Sequence, residues 1–173
     1  MANHKTRSPT AAAKTAKLGV SRRALLISAT VAAGGGALAW TLLGSTESAG
    51  AGTITVWKSP TCGCCTGWVS YMRGKGYRVN VNSVDDTVPT KVRLGIPEKL
   101  HSCHTSKIGD YIIEGHVPAG AIEKLLAERP ALKGIALPGM PEGAPGMDGS
   151  PGIYHVVAFT ADGHLAGFAN VGV

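Results

Sequence analysis

The stretch TITVWKSPTCGCCTGWVSYMRGKG, residues 53–76, decides how the rest of the chain is read. It opens with a short β-branched, apolar run, 53–58, that reads as a buried strand. It closes on Gly74 and Gly76 after a segment with Trp68, Val69 and Met72 on one side. That segment reads as a short helix ended by glycine. Between the two, Cys62 to Cys65 read as a loop with three of the chain's four cysteines in four positions. Cys62 and Cys65 have the C-x-x-C spacing of a redox disulfide. A cysteine pair between a first strand and a first helix suggests a thioredoxin-like fold.

The pattern downstream extends that reading. YRVNVNSV, 77–84, alternates, with Tyr77, Val79 and Val81 expected inward. DDTVPTKVRLGIP, 85–97, holds a short helix with Asp85 and Asp86 as candidate caps. HTSKIGDYIIEGHV, 104–117, reads as a hairpin turning at Gly109–Asp110. PAGAIEKLLAERP, 118–130, is the best helical pattern in the chain, opened by Pro118 and stopped by Pro130, with Ile122, Leu125 and Leu126 as its apolar face. A Pro/Gly/Met-rich loop follows, ALPGMPEGAPGMDGSPG, 136–152, too glycine-rich for regular structure. IYHVVAFTADGHLAGFANV, 153–171, reads as a closing hairpin that turns at Asp162–Gly163. The fold class is therefore α/β: a small mixed thioredoxin-like sheet flanked by helices, with a Pro/Gly/Met loop and a C-terminal hairpin.

Charge is unevenly spread. The 173 residues carry a formal +6, yet six of the basic side chains and only one acid, Glu47, precede residue 52. The remaining 122 residues hold 11 basic and 10 acidic groups, a balance that argues against a nucleic-acid-binding surface. The leader contains Arg22–Arg23, then a weakly apolar Ala/Gly-rich segment, Ala24 to Leu43, then Ala49–Gly50–Ala51. Basic residues, an apolar stretch and an A-x-A pattern follow the grammar of export, and the paired arginines resemble a twin-arginine signal. About 20 apolar residues could instead be retained as an anchor. Residues 1–51 are thus expected to be a signal peptide or N-terminal anchor, and 52–173 a single domain working in the periplasm or envelope. Contact with membrane is expected only through the N-terminal segment, if it stays uncleaved.

Cys64 changes the chemistry of the C-x-x-C pair. It fills the position before the second cysteine, where thioredoxin-like enzymes commonly carry proline. A third thiol there would exchange with any disulfide. It also gathers three soft donors at a helix N-terminus, where the dipole and free N–H groups favour thiolate. Soft thiolates select Cu(I), zinc or iron–sulfur clusters. Adjacent Cys64 and Cys65 make chelation of one tetrahedral zinc awkward. Bridging sulfurs suit several Cu(I) ions. In a thioredoxin-like fold the loop before the third strand packs on the C-x-x-C loop, so Cys103 and His104 are expected to face Cys62–Cys65. His116 either pairs locally with Glu114 or reaches the site. Met140 and Met147 offer thioethers, soft ligands for Cu(I), or simply tuck onto the core. His101, His155 and His164 read as structural or solvated. Two other readings stay open: a structural or redox disulfide, and a zinc-stapled interaction module.

SPTCGCCTGWVSYM, HSCHT, YIIEGHVPAGAIEKLLAERP and GMPEGAPGMD, taken together over roughly 54–171, resemble the CopG-type periplasmic copper proteins, a family long classed as a domain of unknown function. The resemblance implies a thioredoxin-like fold, a cysteine-held copper cluster and a role in copper resistance. By motif, Cys62, Cys64, Cys65 and Cys103 would be the thiolates, with His104 the leading nitrogen candidate. Expected partners are copper ions and other envelope copper-handling proteins. The alternative function is a thiol–disulfide oxidoreductase, with Cys62 attacking and Cys65 resolving. No Ser-His-Asp set, carboxylate pair or phosphate-binding glycine loop supports a hydrolase or kinase, and turnover by a copper-dependent oxidoreductase has no sequence signature.

Overall fold

A computed structural model describes residues 52–173; the expected signal or anchor over 1–51 lies outside the described residues. The elements run β1 (Thr53–Lys58), α1 (Gly63–Gly74), β2 (Arg78–Ser83), α2 (Val88–Arg93), a 3-10 turn at Glu98–Leu100, β3 (His104–Ile108), β4 (Tyr111–Glu114), α3 (Ala119–Glu128), β5 (Gly134–Ala136), β6 (Ile153–Phe159) and β7 (Leu165–Gly172).

One seven-stranded sheet has the order β2-β1-β3-β4-β5-β6-β7. β1 runs parallel to β2 and antiparallel to β3, and β3 pairs antiparallel with β4. This first half is the thioredoxin-like arrangement, with the cysteine motif at the β1–α1 junction. α3 then crosses over to β5, parallel to β4, and the β6–β7 hairpin extends the sheet. Trp68, Val69 and Met72 of α1 share one apolar cluster with Ile122 and Leu125 of α3 and with Ile54, Val56 and Ile113 of the sheet. Ile96, Leu100, Ile112, Ala136 and Phe159 form a smaller second cluster, against which Leu94 packs. Neighbouring Ile112 and Ile113 fall in different clusters, as the two faces of a pleated strand require. α1 and α3 therefore fill one face of the sheet, and the segment after α2 fills the other.

Three expectations need correction. Cys62–Cys65 is not a free loop: Cys62 is the N-cap of α1, and Cys64 and Cys65 lie in its first turn. The reason is that the Cys62 sulfur accepts the Cys65 N–H at 3.3 Å, so sulfur does what a Ser or Asp oxygen does at most helix starts. Val81 is 41% exposed rather than inward, because β2 is the outer strand and its cover ends at Val79. β5 went unread: three residues, Gly134–Ala136, are too few to show a period. Both hairpins turn at the expected positions.

Candidate metal centre

The site forms where three backbone segments meet. The first is the start of α1. The second is Ser102–His104, leading into β3. The third is Gly115–Val117, between β4 and α3. Cys64 Sγ lies 3.5 Å from Cys62 Sγ and 4.0 Å from Cys103 Sγ. Cys65 Sγ lies 3.8 Å from the Cys103 carbonyl oxygen. All four sulfurs fall within 4.8 Å of one another, as do the donor atoms of a second group, Cys103, His104 and His116. Cys103 belongs to both groups. Cys62 and Cys65 are joined in a disulfide, while Cys64 and Cys103 are free thiols.

The histidines are held differently. His116 is fully buried; its Nδ1 sits 2.8 Å from the Pro145 carbonyl oxygen, which can only accept. The Nδ1–H tautomer follows, and the Nε2 lone pair then faces Cys103 Sγ at 2.8 Å. That carbonyl is the kind of outer partner that orients a metal-binding imidazole. His104 is also fully buried, with Nδ1 3.7 Å from Cys103 Sγ and Nε2 without a hydrogen-bond partner among the described residues. Its ring packs 4.7 Å from Trp68 and edge-on to His116 at 4.9 Å. Burial pulls both imidazoles below their usual range, His104 well below, and the neighbouring His116 adds to the effect there. Two neutral imidazoles therefore sit beside the thiols. Burial, and then the adjacent Cys64, push the Cys103 thiol up to about 11.

Glycine lets these segments approach. Gly146, at φ +82°, puts its Cα where a Cβ would lie 2.3 Å from the Trp68 amide nitrogen and 2.6 Å from the Cys64 carbonyl oxygen. The Pro/Gly/Met loop thus lies directly on the first turns of α1 and brings the Pro145 carbonyl to His116. Gly115, at φ +76°, underlies Ser102, whose Oγ would be 2.7 Å from an added Cβ.

A buried polar network fixes the Cys103 segment. Glu114 Oε1 accepts from the Ser102 N–H and the Lys91 ammonium, each at 2.6 Å, and Oε2 accepts from the Thr105 hydroxyl at 2.6 Å. Lys91 also donates to Thr105 Oγ1 at 2.9 Å. Burial pushes the Glu114 carboxyl up, while Lys91 and the donors around it pull the other way. Sequence reasoning missed Lys91 and Glu114. An acid and a base 23 residues apart give no local signal.

The remaining predicted residues are distributed as follows. Met140 is 58% exposed and shares the lining of a surface cavity of about 330 Å³ with Cys103, His101, Ser102 and Gly139. Met147 is half-buried against the main core. His101 Nε2 meets the Ile96 carbonyl at 3.1 Å, and His155 Nδ1 meets Asn170 Oδ1 at 2.6 Å. His164 is exposed beside Asp162. His116 does not pair with Glu114; it reaches Cys103.

Residues 100–147 match the family described as "Protein of unknown function, DUF411". No curated protein matches the chain. Among solved structures, two forms of a protein titled "Copper resistance protein copG" are similar to it. Each is 40% identical with a TM-score of 0.64 and covers 69% of this chain; the match covers 96% of one chain and 97% of the other. At that identity, over almost the full length of both solved chains, this chain belongs to the CopG family of copper resistance proteins.

Proposed function

We propose that the protein holds Cu(I) in the cell envelope as a multinuclear, cysteine-ligated cluster, and that it serves copper resistance. The observation that carries this reading is the gathering of four sulfurs from two distant segments within 4.8 Å of one another. Thiolates prefer soft monovalent metal, and bridging sulfurs accommodate more than one ion. Cys62, Cys64, Cys65 and Cys103 are the proposed holders, with Cys62 and Cys65 available once their disulfide is reduced. Nitrogen comes from His116 Nε2 and from His104. His116 joins His104 as a leading candidate because its Nδ1–H is committed to Pro145.

Redox cycling of copper is part of the proposal. Cys103 takes part in a sulfur-only group and in a Cys-His-His group. The first suits Cu(I). The second resembles the two-imidazole, one-thiolate sets that also support Cu(II). Export through residues 1–51 fits the leader's composition, and no helix among the described residues is long and apolar enough to cross a membrane.

The test is a Cu(I) titration of the reduced protein followed by thermal melting and X-ray absorption at the copper edge. Free Cu(I) at 100 times Kd is expected to stabilise the fold by about 2.7 kcal/mol, with sulfur dominating the copper shell. The rise in Tm should vanish in Cys62→Ser/Cys65→Ser. An unchanged Tm in the wild type, or zinc retained in preference to copper, overturns the reading.

The Cys62–Cys65 disulfide favours a second reading, a thiol–disulfide oxidoreductase in which Cys62 attacks and Cys65 resolves. If Cys64→Ser reduces a test disulfide as well as the wild type, and neither binds copper, that reading replaces the first.

A further inference from the structure

The cavity beside Cys103 is not needed to hold a cluster among the four cysteines, yet it opens onto one of them. Its lining brings together His101, Ser102, Cys103, Gly139 and Met140. Two chain segments meet there and are tied by a hydrogen bond from Ser102 Oγ to the Gly139 carbonyl at 2.9 Å. Met140 follows directly, and its thioether side chain is 58% exposed. The other two methionines of the described chain differ: Met72 is fully buried and Met147 is packed on the core.

We propose that Met140 and Cys103 form an entry port for Cu(I). Met140 takes the ion from a solvent-side donor, and Cys103 passes it inward to Cys64, 4.0 Å away. This rests on the copper reading above and adds its route of loading. The chemistry suits the task. A thioether carries no proton to displace, binds Cu(I) weakly enough to release it, and has little affinity for zinc. Cys103 lines the cavity on one side and stands 4.0 Å from Cys64 on the other, so one sulfur faces both the entry and the cluster. The ion moves from thioether to thiolate by ligand exchange, one Cu–S bond forming as another breaks. Copper stays Cu(I), and the Cys103 proton leaves to solvent through the cavity that the thiol lines. Exposure also selects the donor: a small Cu(I) complex, or a partner presenting Cu(I) at its surface, can reach Met140 without opening the fold.

The experiment follows Cu(I) transfer from a coloured Cu(I) chelator to the full, reduced protein by stopped flow. Met140→Leu and Met147→Leu are compared with the wild type. Met140→Leu is expected to load at least about tenfold more slowly, within the range over which on-rates vary among variants of one interface. It should reach the same copper content, and Met147→Leu should load at the wild-type rate. A second readout needs no copper: in Cys62→Ser/Cys64→Ser/Cys65→Ser protein labelled at its methionine methyl carbons, where the thiols that would draw the ion inward are removed, Ag(I) should shift the Met140 signal and leave those of Met72 and Met147 in place. Loading of Met140→Leu at the wild-type rate, or an unmoved Met140 methyl, overturns the port. So does a lower final copper content in Met140→Leu, since Met140 would then hold copper rather than pass it. A wild type that takes up no Cu(I) brings down the copper reading as well, a result distinct from all of these.

Discussion

Replacing Gly146 with alanine tests whether the Pro/Gly/Met loop is seated on α1 as described. Two costs add. An L-residue at φ +82° occupies the left-handed region, at about 1–2 kcal/mol. The new Cβ would also stand 2.3 Å from the Trp68 amide nitrogen, 2.6 Å from the Cys64 carbonyl oxygen and 2.8 Å from the Gly67 carbonyl carbon. These are backbone atoms of a helix and cannot swing aside. The loop has to lift by roughly an ångström, and overpacking of that kind costs about 1–3 kcal/mol. The sum is about 2–5 kcal/mol, and at about 4 °C per kcal/mol for a domain of this size Tm should fall by roughly 8–20 °C. Lifting the loop also withdraws the Pro145 carbonyl from His116 Nδ1. Thermal melting by circular dichroism reads the first effect, and weaker Cu(I) binding by the folded variant reads the second. Gly74→Ala is the comparator: it ends α1 with no atom within 4 Å of an added Cβ, so it should be neutral or stabilising by up to ~1 kcal/mol. A Gly146→Ala protein melting within about 3 °C of the wild type, under 1 kcal/mol at this size, would refute the reasoning.

Two further outcomes follow from the buried polar groups. Glu114→Ala leaves the buried Lys91 ammonium without its counter-charge and strands the Ser102 N–H, and urea unfolding should show a loss of about 3–5 kcal/mol; Lys91→Met/Glu114→Leu should lose less than Glu114→Ala alone. His104 and His116 are both held neutral by burial, whereas the unfolded chain protonates them near 6.5. Their folded values are depressed, so the stability they contribute is present above about pH 6.5 and is lost as pH falls below it. Denaturant melts between pH 7.5 and 5 read the slope, and His116→Gln should flatten it; an unchanged slope would contradict the assignment of His116 as a buried neutral base.

Much of the fold was legible because its signals are local. The apolar run of β1, the alternation around Tyr77 and Val79, Pro118 opening α3 and the two Gly-Asp or Asp-Gly turns each act within a few residues. Cys103 could be placed against Cys64 because strand order in a thioredoxin-like sheet brings that loop there. Features that depend on distant partners were not legible. The Lys91–Glu114 pair, the Pro145 carbonyl that sets the His116 tautomer, and the exposure of Val81 on an outer strand follow from tertiary packing alone. The helical placement of Cys64 and Cys65 was missed for a different reason: cysteine is not a customary cap, and the Cys62 sulfur fills that role.

The bond between Cys62 and Cys65 has a thermodynamic corollary. One pair of sulfurs cannot be a covalent link and two anionic donors at the same moment. If those sulfurs hold copper, occupancy and oxidation of the pair are competing equilibria. For each Cu(I) ion that the reduced pair holds, a tenfold rise in free metal above Kd would then move the midpoint of the disulfide couple by about 30 mV toward the reduced side. The loop would thus report ambient metal as a voltage.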